Sequence, residues 1–392
     1  MEENAFEAMT SFEKMYEAYR RAASCKRSKK EVIDFELDLS NNLWGIISRM
    51  ENKTYRISGY HRFMIYDPKE REIQALSFRD RVVQHCLCDN ILRPYFEKRL
   101  IYDNAACREG KGTHFAMNRL NVFLREHYKK HGTKGYILKY DIRHYFDSID
   151  HEILKRKLNG IPDRNVLGLL YHIINSYAKE TNPITGEEKG LPMGNQTSQW
   201  FALYYLDTLD RVIKEKMRIK HYIRYMDDGI IIHESKEYLR HVLKEMEQEA
   251  KELKVEFNEK TQIFPICEGV DFLGFRFYLT DSGKVIRRLR TSNKKRWKRR
   301  LKKYQKDYCA GEKTCEEIKR SIVSYRGHLS HGHTYRLRNK VMSSFVLTKA
   351  KRKSERENLS ENYQEEKSLL VRADSHDNSC RETFSSKKQG GF

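Results

Sequence analysis

Apolar residues along the chain alternate between helical and strand-like spacing. Residues 4 to 22 place apolar side chains three and four positions apart, which predicts an amphipathic helix. Further helices are predicted over residues 37 to 50 and 79 to 99. Around Asp67-Pro68, Tyr, Ile and Phe alternate with polar residues, which predicts a basic hairpin. The pattern indicates a helical N-terminal extension over residues 1–54, followed by a mixed segment that contains the hairpin.

The middle of the chain predicts strands with acids at their ends. Residues 135–141 form an apolar run that ends in the carboxylate of Asp141. Farther on, two β-rich runs at 222–225 and 230–232 flank Asp227, Asp228 and Gly229, and the Asp-Gly pair is typical of a hairpin turn. Between these strands, the Gly/Pro loop GLPMGNQTS precedes a predicted apolar helix of about 18 residues. We therefore expect a sheet that carries acids at one edge.

The C-terminal third becomes strongly basic. A hairpin is predicted across Asp281-Ser282-Gly283. Residues 284–306 then hold 13 Lys and Arg and no acid, with Trp297 and Tyr304 interleaved. This composition predicts an electropositive helix or helix pair that contacts a nucleic-acid backbone. Residues 349–392 are charged, Ser-rich and poor in aromatic residues, so we expect a disordered tail.

Composition narrows the class of protein. The 392 residues include 76 Lys and Arg against 55 Asp and Glu, a net charge of +21 that indicates a polyanionic partner. No window is apolar enough to predict a membrane helix, and the start of the chain does not resemble a signal peptide. We therefore expect a cytoplasmic protein with no membrane partner. The eight cysteines are scattered and are interpreted as reduced thiols.

Three carboxylates are the strongest candidates for chemistry. Asp141 lies far from Asp227 and Asp228 in sequence, and antiparallel strands are the natural way to bring them together. Crowded carboxylates repel one another unless cations lie among them, which is the arrangement of a two-Mg²⁺ site. Such a site activates a 3′-hydroxyl and stabilises a leaving pyrophosphate. The alternative is that residues 227–229 form an ordinary exposed turn.

Six blocks of sequence carry a resemblance to a known family. Residues 225–228 (YMDD) resemble the Y-x-D-D box of reverse transcriptases, and KYDIRHYFDSIDH resembles the earlier acidic motif of that family. FRDRVVQH, REGKGTH, GLPMGNQTS and DFLGF resemble its other blocks in the same order. The resemblance covers roughly residues 55 to 340 and implies an α+β right-hand polymerase. It implies fingers at 55–135, a palm at 136–283 with an inserted fingers segment near 155–190, and a basic helical thumb at 284–348.

The resemblance also implies roles for individual residues. Two Mg²⁺ ions, with Mn²⁺ as a substitute, would be held by Asp141, Ile142, Asp227 and Asp228. Phe146 would exclude a 2′-hydroxyl from the incoming sugar, so that the product is DNA. The other residues implied in nucleotide binding are Lys69, Arg71, Met193 and Gly194, with Arg79 in reserve. Template and primer would meet Arg108, Lys111, Gly112, Lys298, Arg299, Lys302 and Lys303. Lys260 is either a general acid for the pyrophosphate or an ordinary solvated lysine.

One loop indicates a subgroup. LPMGNQTSQ is similar to the G-x-x-x-S-Q form found in reverse transcriptases of bacterial and phage diversity-generating retroelements, and Met193 stands where other members have Gln. This similarity implies error-prone copying of a template-repeat RNA, with a small basic accessory protein that forms a ring. The alternatives are a reverse transcriptase of an antiphage defence system, a retron or a reduced group II intron. A non-catalytic RNA-binding protein with a polymerase fold is the alternative from another class.

Overall fold

The computed structural model describes residues 4–66 and 69–349. The predicted turn at Asp67-Pro68 and nearly all of the predicted tail at 349–392 lie outside the described residues. The chain divides into two compact units with the boundary between Arg290 and Thr291. The predicted start of the basic helical segment at residue 284 is therefore corrected to residue 291, because residues 285–289 form a strand of the first unit. No helix among the described residues has the length and apolarity needed to cross a membrane.

The helices of the first unit occur in groups before and between its strands. They are Ala5–Met9 (α1), Phe12–Ala23 (α2), Lys30–Glu36 (α3), Leu39–Glu51 (α4), Phe78–Leu87 (α5), Arg93–Glu97 (α6), Thr113–His131 (α7), Tyr145–Ser148 (α8), His151–Leu158 (α9), Arg164–Asn175 (α10), Gln196–Tyr205 (α11), Asp207–Arg211 (α12) and Lys236–Glu252 (α13). The second unit contains Thr291–Cys309 (α14), Cys315–Ser330 (α15) and Tyr335–Met342 (α16). Short π-helical turns follow α5 and α12, at Cys88–Leu92 and Val212–Lys216.

The strands form one larger sheet and three smaller ones. They are Tyr60–Ile65 (β1), Arg71–Leu76 (β2), Tyr136–Asp141 (β3), Glu180–Thr181 (β4), Glu188–Lys189 (β5), Tyr222–Tyr225 (β6), Asp228–His233 (β7), Gln262–Pro265 (β8), Val270–Phe272 (β9), Phe275–Leu279 (β10) and Val285–Leu289 (β11). The larger sheet has the order β6-β7-β3-β8, and β11-β10-β9 form a second sheet. The hairpins β1-β2 and β4-β5 stand as separate two-stranded sheets.

The predicted N-terminal helix is interrupted. The Ser11 side chain accepts a hydrogen bond from the Lys14 N–H and so caps a new helix, α2, after α1 has ended at Met9. The apolar stripe of α2 is nevertheless buried as its spacing predicts, with Met15 and Tyr19 in the core. The predicted long helix after the Gly/Pro loop is likewise divided, because α11 ends at Tyr205 and α12 starts anew at Asp207.

The β6-β7 hairpin turns two residues earlier than its Asp-Gly pair predicts. Tyr225 pairs with Asp228, so the turn consists of Met226 and Asp227, and Met226 takes the left-handed conformation with φ +60°. Gly229 instead lies inside β7, where an added Cβ would sit 2.3 Å from the Tyr140 ring. The glycine is required by close packing between β7 and β3 rather than by the turn.

The second unit presents one apolar and one basic face along α14. Trp297, Leu301 and Tyr304 are buried, and the Trp297 ring lies 5.3 Å from that of Tyr325 on α15. The four cations singled out from the sequence all lie on exposed positions of the same helix: Lys298, Arg299, Lys302 and Lys303. Their spacing around a 3.6-residue turn keeps them off the buried stripe. Their assignment to template and primer stays a prediction.

Candidate active site

Two of the three acids face each other across neighbouring strands. Asp141 ends β3 and is the direct antiparallel partner of Asp228, the first residue of β7. Asp227 precedes Asp228 in the turn, so all three carboxylates belong to one edge of the larger sheet. The sequence predicted this juxtaposition, and the register of β3 on β7 produces it. The strands Tyr222–Tyr225 and Asp228–His233 are both almost wholly buried. Packing of these strands in the core therefore holds the edge with the acids in place.

The three carboxyl groups are electrostatically destabilised as anions. Burial raises the pKa of Asp228 to about 7, and the nearby charges of Asp141 and Asp227 add to the effect. Burial and then the charge of Asp141 raise the pKa of Asp227, and burial raises that of Asp141. The charge of Asp141 therefore disfavours ionisation of Asp227 and Asp228. The arrangement favours a cation at this edge.

The residues fit a divalent metal ion. The Asp228 Oδ1 atom is buried and accepts no hydrogen bond, and the Lys139 ammonium group lies 3.7 Å away, so this oxygen lacks a close cationic partner. Among residues 4–66 and 69–349, no three His, Cys, Asp or Glu side chains form a preassembled metal cage. Mg²⁺ keeps several waters and takes substrate phosphates as ligands, so two or three carboxylates at an open edge suit it better than a closed cage.

Lysine and arginine side chains surround the acids. Lys139, two residues before Asp141 on the same face of β3, places its Nζ atom 3.7 Å from Asp228 Oδ1 and donates to the Asp271 carbonyl at 2.8 Å. Lys69 and Lys260 are close enough to Asp141 to lower its pKa, although burial outweighs them. Arg71 acts in the same direction on the pKa of Asp227. The structure thus brings the predicted cations Lys69, Arg71 and Lys260 into electrostatic range of the acids.

The loop with Met193 joins the site through the β1-β2 hairpin. The Met193 carbonyl accepts a hydrogen bond from the Gln74 N–H at 3.0 Å, and the Met193 N–H donates to Gln74 Oε1 at 2.9 Å. Phe146, half-buried in α8, accepts at its carbonyl from the Leu191 N–H in the same loop. The loop that contains Met193 is therefore hydrogen-bonded to Phe146 on one side and to β2, the strand that carries Arg71, on the other.

Arg108, predicted to contact template, is largely enclosed by the protein. Its side chain is only 5% exposed and forms an ion pair with Glu97, while Nη1 donates to the carbonyls of Ile101 and Asn104. The guanidinium makes four hydrogen bonds inside the protein out of the five that its N–H groups can donate. These bonds hold the loop that precedes α7 in place and disfavour a contact between Arg108 and the template backbone, which stays a prediction.

The neighbouring predicted residues are more accessible. Lys111 is half-buried, donates to the Tyr102 carbonyl at 2.6 Å and lies 4.5 Å from the centroid of the Tyr102 ring. Burial, followed by the charge of Arg108, lowers the pKa of Lys111 to about 8. Gly112 is the N-cap of α7. Their assignment to the template backbone stays a prediction.

A buried ion pair supports the acidic turn from below. Arg224 is 0% exposed, and its guanidinium donates to both carboxylate oxygens of Asp210, at 2.7 and 2.6 Å. The Nη1 atom of Arg224 donates to the Met226 carbonyl at 2.8 Å, directly before Asp227. The Tyr222 hydroxyl also donates to Asp210, at 2.6 Å. A charge that is buried and fully hydrogen-bonded in this way fixes the turn, since breaking such a pair typically costs about 3–5 kcal/mol.

Sequence reasoning missed three residues of this neighbourhood, namely Lys139, Arg224 and Gln74. The strand period of two places Lys139 on the face of Asp141, so alternation along β3 contained the signal. Arg224 lies in an apolar strand, where a charged residue indicates a buried partner. Gln74 gave no local signal, because its partner Met193 is far away in sequence.

Comparison with known proteins identifies the family. The family model described as reverse transcriptase (RNA-dependent DNA polymerase) matches residues 67–277, which is more than half of the chain. The chain therefore belongs to the reverse transcriptase family, as its motifs predicted. The family membership and the mixed helix–sheet architecture confirm the predicted α+β fold class of a right-hand polymerase. No curated protein matches the chain.

Solved structures with similarity to the chain include three of yeast telomerase. Apo telomerase from Candida tropicalis truncated from the C-terminal domain is 16% identical, with 59% of this chain and 55% of that chain covered and a TM-score of 0.44. Telomerase from Candida albicans in complex with a TWJ fragment of telomeric RNA is 13% identical, with coverage of 62% and 49% and a TM-score of 0.44. Apo telomerase from Candida tropicalis is 14% identical, with coverage of 59% and 49% and a TM-score of 0.43. The chain spans about half the length of these structures.

Proposed function

We propose that this protein is an RNA-directed DNA polymerase that makes cDNA by two-metal-ion nucleotidyl transfer. The observation that carries the proposal is the register of Asp141 on Asp228, with Asp227 in the adjoining turn, at one edge of a buried sheet. The raised pKa of each carboxyl group supports it, because the acids are stable together as anions only beside cations. Membership of the reverse transcriptase family supplies the reaction class.

The acids would hold the two ions at this edge. Asp141, Asp227 and Asp228 are the side-chain ligands, and Ile142 is the main-chain candidate beside Asp141. Mg²⁺ bound there would activate the primer 3′-hydroxyl and stabilise the charge that develops on the leaving pyrophosphate. The protein contributes a rigid support: Arg224 and Asp210 hold the turn, so the carboxylates do not need to reorganise during the reaction.

The nucleotide would bind between the β1-β2 hairpin and the Met193 loop. Lys69 and Arg71 lie on the hairpin side of this site. The charge of Lys69 lowers the pKa of Asp141, and the charge of Arg71 lowers the pKa of Asp227, although burial outweighs both. Their charges suit the triphosphate of the incoming nucleotide. The ring of Phe146 would lie under the sugar and reject a 2′-hydroxyl. Lys260 remains a candidate donor of a proton to the pyrophosphate, since it is exposed and near Asp141.

Template RNA and the cDNA product would be held by charge. Lys111 and Gly112 are candidates at the start of α7, and the exposed basic face of α14 is the larger candidate surface. Contacts of this kind supply affinity and position rather than sequence choice. We assign the segments 55–135, 136–290 and 291–348 to fingers, palm and thumb, with the inserted fingers segment near 155–190. This assignment follows the family and the strand boundary at Leu289.

At the level of the subgroup, we propose a reverse transcriptase of a diversity-generating retroelement that copies a template-repeat RNA with frequent errors. The loop LPMGNQTSQ supports this proposal, because Met193 offers only a weak thioether acceptor where a Gln would offer a hydrogen-bonding amide. The proposal includes a small basic accessory protein that forms a ring. A variable repeat in a nearby gene that matches a template repeat would support it, and the absence of such a repeat pair would favour a retron, an intron or a defence system.

A primer-extension assay tests the activity. Purified protein is incubated with primed RNA and the four dNTPs, with Mg²⁺ or with EDTA, and the product is sequenced. The proposal expects cDNA complementary to the RNA, lost with EDTA and restored by Mg²⁺. RNA binding that is independent of metal, without any incorporation, would overturn the polymerase assignment in favour of a non-catalytic RNA-binding protein.

A further inference from the structure

Gln74 makes an unusual connection between two parts of the candidate nucleotide site. It lies on β2 and is 2% exposed. Its main-chain N–H donates to the Met193 carbonyl at 3.0 Å, and its side-chain Oε1 accepts from the Met193 N–H at 2.9 Å. One residue therefore satisfies both polar backbone groups of Met193. In an antiparallel pair of strands, both hydrogen bonds would come from the main chain of the neighbouring residue. Here the main chain of Gln74 makes one of them and its side chain makes the other.

We propose that Gln74 is a positioning residue for nucleotide selection, which clamps the Met193 loop to the strand that carries Arg71. The inference rests on the proposed function, because it takes Met193 and Arg71 as opposite walls of the nucleotide site. Gln74 is three residues after Arg71 on β2 and bonds directly to Met193. The clamp makes the two walls one unit, so their separation is fixed before a nucleotide arrives.

The packing beside the clamp leaves little freedom. Gly194 has φ +110°, a conformation that favours glycine, and an added Cβ there would lie 2.9 Å from Ile73 Cγ2. The loop therefore approaches β2 closely at the residue after Met193 as well. Asn195, the residue directly before α11, is buried at the other end of this short segment. Loss of the Gln74 side-chain bond would leave the Met193 carbonyl bonded to the Gln74 N–H and the Leu191 N–H bonded to the Phe146 carbonyl, but it would free the Met193 N–H and loosen the loop at that residue.

The orientation of the Gln74 amide is fixed by a charge. Its Nε2 atom donates to Glu72 Oε2 at 3.0 Å, and a carboxylate can only accept. The Oε1 atom must therefore face the Met193 N–H, which can only donate. Glu72 in turn lies 3.9 Å from Lys179 Nζ. A glutamate at position 74 would still accept from Met193 but would repel Glu72, so the two functions of the amide can be separated.

A loose clamp predicts a specific kinetic change. Discrimination between nucleotides depends on small differences in how firmly the correct and the incorrect nucleotide are held in the transition state. If the walls move independently, nucleotide affinity and selectivity fall together. Binding of primed RNA does not depend on this clamp, because charge along the backbone supplies it.

Three variants test the clamp: Gln74→Met, Gln74→Glu and the exchange Glu72→Gln with Gln74→Glu. Met is similar in size but cannot accept strongly, and the exchange restores a donor opposite a carboxylate. Gln248→Met, exposed on α13, is the matched control. Two quantities are measured on the full chain: hydrogen–deuterium exchange of the peptide that contains residues 191–195, and the KM for dNTPs with the misincorporation frequency.

We expect Gln74→Met to lose protection in the 191–195 peptide and to raise KM and misincorporation by about two- to tenfold, the range for one neutral hydrogen bond. Gln74→Glu should change these quantities in the same direction, because repulsion from Glu72 displaces the carboxylate that would accept from Met193. RNA affinity should stay unchanged, which also shows that the variants are folded, and the exchange should recover most of the loss. Protection and KM in Gln74→Met equal to those of the unchanged enzyme would overturn this inference alone. An exchange variant no better than Gln74→Glu would also overturn it. No incorporation by the unchanged enzyme would instead overturn the proposed function.

Discussion

Replacement of Asp228 by Asn should stabilise the metal-free protein at neutral and alkaline pH. Burial, with Asp141 and Asp227 nearby, raises the pKa of Asp228 to about 7 in the folded protein. An unfolded Asp has a pKa of about 3.9, so the folded state binds this proton more tightly. Stability is therefore lost as the pH rises from about 4 to about 7, and the loss is constant above that range. Asn carries no charge and removes the loss.

The size of the effect follows from the shift. About three pKa units correspond to at most about 4 kcal/mol. The Asp228 side chain is 26% exposed and lies 3.7 Å from Lys139 Nζ, so solvent and the ammonium group screen part of this energy. We expect a gain of about 1–2 kcal/mol at pH 8 and about one third of that at pH 5. In a protein of this size, the gain at pH 8 corresponds to a rise in Tm of about 1–3 °C.

Thermal unfolding in EDTA measures the gain directly. The unchanged protein and Asp228→Asn are compared at pH 5 and pH 8, with Asp34→Asn, an exposed acid on α3, as the control. Mg²⁺ should then raise the Tm of the unchanged protein at pH 8 more than that of Asp228→Asn. Equal Tm values at pH 8, or the same difference at both pH values, would refute the electrostatic reasoning.

Three further substitutions test separate parts of the site. Phe146→Ala should raise incorporation of rNTPs by about tenfold or more, the scale of discrimination by one apolar group; unchanged dNTP preference in single-turnover assays would assign the gate to another residue. Met193→Gln should lower misincorporation by about two- to tenfold, most clearly opposite adenine, because the amide adds a hydrogen bond; equal error spectra in sequenced cDNA would remove Met193 from fidelity. Neutralising the basic face of α14 should lower the slope of log K against log salt by about 0.7–0.9 for each phosphate group that the variant no longer binds; an unchanged slope would show that the face does not bind nucleic acid. The residues neutralised together in this variant are Lys298, Arg299, Lys302 and Lys303.

The sequence predicted the parts of the site that depend on local pattern. The apolar run before Asp141 and the hairpin at Asp227 each have a clear local signal, and the antiparallel pairing of β3 with β7 joins them. The turn lies two residues before the Asp-Gly pair that predicted it, because Gly229 serves packing against Tyr140 rather than the turn. The predicted start of the basic helix was also wrong. Residues 285–289 lie in the basic segment, but they pair with β10 as a strand of the first unit.

The sequence could not predict interactions between residues that are far apart along the chain. Arg108 lies in a Gly-rich basic loop, which indicates a phosphate site, yet the fold places Glu97 against it. The pairing of Arg224 with Asp210 and of Gln74 with Met193 depends on tertiary packing that no local spacing encodes. These interactions decide how rigid the acidic turn and the Met193 loop are.

The central claim is that the acidic edge performs nucleotidyl transfer, and Asp227→Asn tests it most directly. Primer extension on RNA with Mg²⁺ and dNTPs is measured for both proteins, together with the Kd for the same primed RNA. We predict that the variant incorporates no nucleotide while its RNA affinity stays nearly unchanged, because the substitution removes a metal ligand and leaves the basic surfaces intact. Extension by Asp227→Asn at the rate of the unchanged protein would contradict the claim.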